Sequence, residues 1–170
     1  TRCFCWTHLR RYFVNALPKD LKSSEATIPA QAIEYINKLF SIEKRLEIFT
    51  PEGRKKQRLE EEKPILEAFW SWAEKASIEV LPNSKLGEAF TYAFNQKEGL
   101  MNYLGDGNCS ISNNLAENSI RPFTIGRKNW LFSGSPKGAE ASAGVYTLIE
   151  TAKANGINPF KYISFILGDI

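Results

Sequence analysis

Apolar residues recur every three to four positions along much of the chain, which is the spacing of one buried face of an α-helix. The pattern predicts helices over residues 5–17 and 27–49, and a charged helix over 54–63 that leads through Pro64 into a packed one. A long apolar stripe predicts a further helix over residues 84–104. The expected start signals are Thr27, Ser84 and, further along, Ser135.

Shorter elements are predicted after residue 105. Apolar and polar side chains alternate over residues 109–112, which indicates a strand or an extended connection. Asn113 or Asn114 is expected to cap the next helix. That helix should be brief, because Pro122 disfavours helical geometry at the residue before it. Residues 129–133 are interpreted as extended. The last two predicted helices span residues 135–156 and 158–167.

The predicted fold class is mainly α, with about seven helices and at most two or three short strands. With 170 residues and 43% apolar content the chain can bury a core. No apolar run approaches the roughly 20 residues that a bilayer span takes, so no membrane partner is expected. Three cysteines, an odd number, give no disulfide framework and favour a reducing cytoplasm.

Basic residues are concentrated in two stretches, although the net charge of +3 is too small by itself to indicate a polyanion partner. One stretch lies in the first 24 residues, where Asp20 is the acidic residue, and the other follows residue 120 with no acidic residue among its members. They contain Arg2, Arg10, Arg11, Lys19 and Lys22, and Arg121, Arg127, Lys128 and Lys137. These stretches are the candidate polyanion surface, and plain solvated surface is the alternative.

A metal site built on the cysteines is a weaker hypothesis. His8 lies close in sequence to Cys3 and Cys5, and Cys109 is the third cysteine. The single residue between Cys3 and Cys5 differs from the two-residue gap of common zinc motifs. We therefore expect partly buried thiols at a strand-to-helix edge.

The most distinctive polar block covers residues 113–130. Asn113, Glu117 and Arg121 fall at i, i+4 and i+8, so one helical face presents an amide, a carboxylate and a guanidinium. From spacing alone the simpler interpretation is an exposed Glu–Arg pair worth about 0.3–0.5 kcal/mol.

Several motifs resemble the insertion-sequence sixty-six family of bacterial transposases. The resembling segments are residues 5–13, 113–117, 120–122, 126–132, 148–153, 155–156 and Pro159. The resemblance implies an RNase H-like fold with an Asp, Asp, Glu triad that cleaves and transfers DNA strands, in which Glu117 is the catalytic glutamate and a metal ligand. The implied cofactor is Mg²⁺ or Mn²⁺, because two divalent ions held by carboxylates activate the attacking oxygen and stabilise the leaving one.

The two aspartates of such a triad are expected upstream of Thr1. None of Asp20, Asp106 and Asp169 lies in the hydrophobic strand context that the family implies. The chain is therefore predicted to be a C-terminal portion that is inactive alone. By the resemblance, residues 1–18 end the RNase H-like core, 19–105 form a helical insertion, and 106–170 form the C-terminal part of the catalytic domain.

The resemblance also implies double-stranded DNA, at transposon ends and at the target, as the partner. The implied DNA contacts are Arg121, Arg127, Lys128, Asn129, Arg10 and Arg11, and Asn113 and Asn114 complete the glutamate motif. Trp130 and Phe132 are interpreted as core residues. A homo-oligomer associated with the bacterial nucleoid is expected.

Two other functions stay open at this point. One is a non-catalytic, helical DNA-binding remnant of a transposase, and the other is a protein-interaction module, suggested by the aromatic cluster Phe69, Trp70 and Trp72. Within the insertion, Arg54–Arg58 and Glu60–Glu62 are most simply a solvated helix face with i,i+4 ion pairs, although the basic half is a possible contact for DNA or a second protomer.

Overall fold

The computed structural model describes residues 3–18, 27–130 and 133–168, and for residues 127–130 it describes the backbone. Within these ranges the chain is mainly α-helical, as predicted, and none of the described residues forms a strand. This agrees with the predicted upper limit of two or three short strands, and of the two alternatives for residues 109–112 the structure has the connection. Next to this connection the N–H of Trp6 donates to the carbonyl of Ile111, and the N–H of Asn113 donates to Sγ of Cys5.

The α-helices of the described ranges are numbered α1 to α9 in chain order. They are α1 Trp6–Asn15, α2 Ile28–Leu46, α3 Pro51–Gln57, α4 Lys63–Ala76, α5 Lys85–Asn95, α6 Lys97–Met101, α7 Asn114–Trp130, α8 Pro136–Ala154 and α9 Pro159–Gly168. A π-helix, Arg58–Glu62, joins α3 to α4, and short 3₁₀ helices, Ser77–Glu79 and Asn102–Gly105, follow α4 and α6.

Four helices begin at hydroxyl caps, three of which the sequence indicates. The side chains of Thr27, Thr50, Ser84 and Ser135 each accept a hydrogen bond from the backbone N–H three residues later. Three of these helices also have a proline in the first turn, where its missing N–H costs no helical hydrogen bond. These starts are therefore fixed by local chemistry.

The helix predicted over residues 84–104 is interrupted. It ends as α5 at Asn95, restarts as α6 at Lys97 and finishes in a 3₁₀ turn. The second part packs closely on the N-terminal segment: the N–H of Phe4 donates to the carbonyl of Gly99 at 2.9 Å, and a Cβ at Gly99 would overlap the Phe4 ring. This long-range contact, absent from the local pattern, accompanies the break.

Helix α7 is longer than predicted. It continues through Pro122 to Trp130, so the prediction of a brief helix and of an extended stretch at residues 129 and 130 is wrong. An interior proline removes one helical hydrogen bond at a cost of about 3 kcal/mol, which a 17-residue helix can absorb. The hydroxyl of Thr124 donates to the carbonyl of Arg121 beside the proline, at 2.9 Å. Gly126 thus lies within the helix and not in a loop.

The chain divides into two compact units, Thr1–Asn113 and Asn114–Ile170, here called unit 1 and unit 2. In unit 1, α1 packs on α2 and α5, and α4 packs on α2. The core of unit 1 centres on Trp6, whose ring lies 5.6 Å from that of Phe69 and whose indole N–H donates to the carbonyl of Leu100 at 2.8 Å. Residues 1–18, predicted to end an RNase H-like core, thus pack on residues 19–105, the predicted helical insertion. The assignment of these segments to domains stays a prediction.

Unit 2 consists of α7, α8 and α9. The rings of Phe123 on α7 and Tyr146 on α8 meet edge to face at 5.1 Å, and Ala152 is buried. Large apolar side chains are exposed on all three helices, among them Leu115, Val145 and Phe160. None of the described helices of either unit combines the length and the apolar character that crossing a membrane takes.

A matched pair of leucines tests the core of unit 1. Leu66 on α4 is fully buried, whereas Leu81 is 77% exposed. We expect Leu66→Ala to lower the free energy of unfolding by about 2–5 kcal/mol, because it leaves a cavity. Leu81→Ala should change it by less than about 0.5 kcal/mol. Chemical denaturation measures both, and equal effects would contradict the assigned packing.

Candidate active site

Helix α7 presents the predicted catalytic glutamate near its start. Glu117 lies in the first turn and is exposed, and Arg121, one turn further on, is exposed as well. The predicted i,i+4 placement is therefore observed. A carboxylate in the first turn is stabilised by the partial positive charge of the helix N-terminus. Glu117 is accessible to a metal ion or to DNA.

The chain enters α7 through a well-held segment of unit 1. Asn114 is the first helical residue, so the predicted helix start is confirmed within one residue. Immediately before it, the N–H of Asn113 donates to Sγ of Cys5 at 3.4 Å, and the hydroxyl of Thr7 donates to Oγ of Ser112 at 2.9 Å. The motif around residues 5–13 is thereby in contact with the residues that precede the glutamate motif, although more than 100 positions separate them.

The remaining predicted DNA contacts differ in their surroundings. Arg127, Lys128 and Asn129 belong to α7, and their side chains lie outside the described residues. On α1, Arg11 is exposed, whereas Arg10 is partly buried and donates from Nε to Oδ1 of Asn37 at 2.9 Å. Arg10 therefore has a structural contact within unit 1.

A cluster of metal ligands is absent from the described part of the chain. Among the described residues, no three histidine, cysteine, aspartate or glutamate side chains are grouped to hold a metal ion. Asp106 accepts from the backbone and side-chain nitrogens of Asn108, which lower its pKa. Asp20 and Asp169 lie outside the described residues. Glu117 fits as one ligand, whereas a two-metal centre takes several carboxylates.

The cysteines are free thiols with contrasting surroundings. Burial acts to raise the pKa of Cys5, but its hydrogen bonds with Asn113, His8 and Ser112 outweigh burial and lower the pKa to about 7. Burial and the adjacent thiol of Cys3 raise the pKa of Cys109 to about 12. At neutral pH Cys5 is partly thiolate and Cys109 is a thiol.

The sequence did not reveal the role of Arg58. Its side chain is fully buried and all five of its N–H donors are used. Nε and Nη2 bind the two carboxylate oxygens of Glu43 at 2.7 and 2.8 Å. Nη1 donates to the carbonyls of Tyr103 and Asp106, and Nη2 to that of Cys109, each at 2.9 Å. The expectation of a solvated face is therefore wrong at this position.

A second buried charge-bearing group adjoins Arg58. Glu62 is 0% exposed, and its Oε2 accepts from the hydroxyl of Tyr103 at 2.7 Å, while Oε1 has no hydrogen-bond partner. Burial raises the pKa of Glu62 to about 8, and the negative charge of Glu43 adds to the rise, against the hydrogen bond from Tyr103 and the charge of Arg58. Taking up a proton reduces the cost of burying a carboxylate.

A signal for these two residues was present in the sequence. Arg58, Glu62 and Leu66 follow one another at intervals of four, and the buried Phe69 and Ala73 continue the same face. Extending the apolar stripe of α4 backwards places both charges on the buried face. The charges of the two side chains favoured a solvent-exposed position, because charged groups are rarely buried unless they are paired.

The transposase IS66 family is the family to which the chain belongs, since the family model matches residues 1–141. This membership implies a role related to transposition. The match includes the whole of unit 1 and all of α7.

Two relatives come from Sinorhizobium fredii (strain NBRC 101917 / NGR234). The one named uncharacterized protein y4qI is 36% identical over 161 residues, which are 94% of this chain and 29% of the relative. The one named uncharacterized protein y4hP is 30% identical over 178 residues, which cover 100% of this chain and 32% of the relative. The chain spans about a third of the length of the curated relatives it matches. No solved structure matches the chain.

The buried carboxyl of Glu62 predicts a pH-dependent stability. Because folding raises its pKa from 4.5 to about 8, the folded chain binds this proton more tightly, and the free energy of unfolding falls as pH rises through that window. Glu62→Gln removes the titration. Urea unfolding between about pH 5 and about pH 8 should show the variant gaining stability relative to the parent as pH rises. Parallel pH profiles would contradict this, and Glu67→Gln, at an exposed position of α4, is the control.

Proposed function

We propose that this chain supplies the glutamate of a metal-dependent DNA strand-transfer site in a longer transposase. The observation that carries the proposal is the exposed Glu117, one turn from Arg121 on a helix that lies within the family match. The described residues offer no complete metal centre, so the other carboxylates are proposed to come from elsewhere in the full-length protein. The 170-residue chain alone is then inactive.

Glu117 suits this role by its chemistry and its exposure. Mg²⁺ and Mn²⁺ prefer carboxylate oxygen ligands, and an exposed side chain is accessible to the ion and the DNA together. When bound, such ions polarise the scissile phosphate and activate the attacking oxygen. The contribution of this chain is to hold one carboxylate on a helix, and a rigid element positions a ligand better than a loop does.

The basic residues of α7 are proposed to position DNA beside that carboxylate. Arg121, Arg127 and Lys128 lie within 11 positions of Glu117 on one helix, so they are available to neutralise neighbouring phosphates. Asn129 is proposed as a further polar contact to the backbone. On α1, Arg11 is the better candidate, because Arg10 already binds Asn37.

Glu117→Gln in the full-length protein tests the catalytic proposal. The amide keeps the size of the side chain but loses the charge that holds a metal ion. Replacing a residue that only supports a metal ligand costs about 10–100-fold, so loss of a ligand should lower strand transfer by at least about 100-fold. Affinity for transposon-end DNA should change little. The assay is Mg²⁺-dependent joining of a pre-cleaved transposon end to target DNA.

Glu67→Gln, at an exposed glutamate of α4, is the matched control and should keep full activity. Retained strand transfer by the Glu117→Gln protein would contradict the assignment of Glu117 as a catalytic residue. Mg²⁺-dependent nicking by the 170-residue chain alone would show that the chain is not an incomplete site.

A salt series tests the DNA contacts separately. The logarithm of the binding constant for duplex DNA should fall linearly with the logarithm of the salt concentration. Each lost phosphate contact should reduce the slope of this line by about 1. Arg121→Ala, Arg127→Ala and Lys128→Ala are each expected to weaken binding to all sequences alike. Lys85→Ala, at an exposed position of α5, is the control.

The two tests separate the competing functions. DNA binding that depends on α7, in a full-length protein that shows no strand transfer, would indicate a non-catalytic DNA-binding remnant. Binding that none of the three substitutions changes would require the proposed contacts to be withdrawn.

A further inference from the structure

The chain reaches α7 through residues 103–113, here called the approach segment. Two arginines one turn apart hold the backbone of its first half. Arg58 donates to the carbonyls of Tyr103, Asp106 and Cys109, and Arg54 donates from Nη1 to that of Gly107 at 3.1 Å. Four carbonyls within seven residues are thus fixed by side chains from α3 and the π-helix.

Close packing holds the same stretch from another side. Gly107 is buried against the start of α3, where an added Cβ would overlap the carbonyl oxygen of Pro51. A backbone this close to a neighbouring helix has little room to shift without breaking contacts. The turn at Asp106–Asn108 is closed further by the bond from the N–H of Asn108 to Oδ1 of Asp106 at 2.8 Å.

The second half of the approach segment is held by the start of α1. The N–H of Trp6 donates to the carbonyl of Ile111 at 3.0 Å, and Ile111 is buried. The bonds from Thr7 to Ser112 and from Asn113 to Cys5 follow directly. The approach segment is therefore restrained up to Asn113, four positions before Glu117.

The bonding of Arg58 is specific to arginine. Its five N–H groups are divided between a bidentate pair with Glu43 and three carbonyls, so none remains for DNA. A lysine has three donors on one atom and cannot reproduce a planar fork. Glu43 itself is largely buried, so the pair is shielded from water.

We propose that Arg58 is a positioning residue for Glu117: it holds the approach segment and so restrains the chain that carries the glutamate into α7. The role rests on the proposed function of Glu117. A catalytic group displaced by about 1 Å can lose about 100-fold in rate, so restraint of the chain leading into its helix bears on the reaction.

Arg58→Lys in the full-length protein is the test, with two readouts. Hydrogen exchange followed by mass spectrometry should show amides of residues 103–109 exchanging at least about tenfold faster, because two or more hydrogen bonds are lost there. Amides of α1 and α2 should change by less than about twofold. At saturating DNA, the rate of strand transfer should fall about tenfold or more while DNA affinity stays constant.

Arg45→Lys is the matched control, because Arg45 is an exposed arginine paired with Glu61 and should move neither readout. Exchange that stays unchanged, or that rises equally throughout unit 1, would overturn the local restraint. Faster local exchange with an unaltered strand-transfer rate would overturn the positioning role. A fully active Glu117→Gln protein would remove the proposed function, and the exchange readout would still report on the restraint.

Arg54→Lys is the second variant, for the case in which Arg58→Lys does not fold. Arg54 is partly exposed and contributes one of the four carbonyl contacts, so a smaller acceleration of about threefold is expected in the same residues. No acceleration there would count against the proposal.

Discussion

The buried guanidinium of Arg58 is the interaction on which the arrangement of unit 1 depends. A charge removed from water is costly, and the cost is offset here because every donor has a partner, two of them on the carboxylate of Glu43. The remaining donors reach the carbonyls of Tyr103, Asp106 and Cys109, and the first two of these also accept a backbone N–H. The charge therefore specifies the path of a loop. A purely apolar contact would lack that directionality, because apolar packing does not select among backbone carbonyls.

The same network brings distant family motifs together. Residues 5–7 at the start of α1 bind residues 111–113, and the chain then passes directly into the helix that holds Glu117. The aromatic core supports this junction, since Trp6 packs on Phe69 and donates to Leu100. The predicted insertion thus does more than separate two motifs: its helices supply the groups that hold the entry to the proposed catalytic element.

Burial in this network is tied to charge state. Glu62 interacts with the negative charge of Glu43 and with the positive charge of Arg58, and one of its oxygens is bound to Tyr103 while the other has no hydrogen-bond partner. Burial favours the neutral acid and raises its pKa. The π-helix that carries both Arg58 and Glu62 contains an i→i+5 turn, and such turns are frequent at functional sites.

The sequence alone determined the helical class, the hydroxyl-capped starts at Thr27, Ser84 and Ser135, and the buried stripe of α4, because these follow from local hydrogen bonding and a 3.6-residue period. It also indicated Glu117 as the residue to test, through a motif. Tertiary structure decided the break before α6, the continuation of α7 through Pro122, and the burial of the Arg58 side chain. The break before α6 and the burial of Arg58 depend on partners elsewhere in the chain, Phe4 for Gly99 and Glu43 with three carbonyls for Arg58, and local periodicity carries no information about such partners.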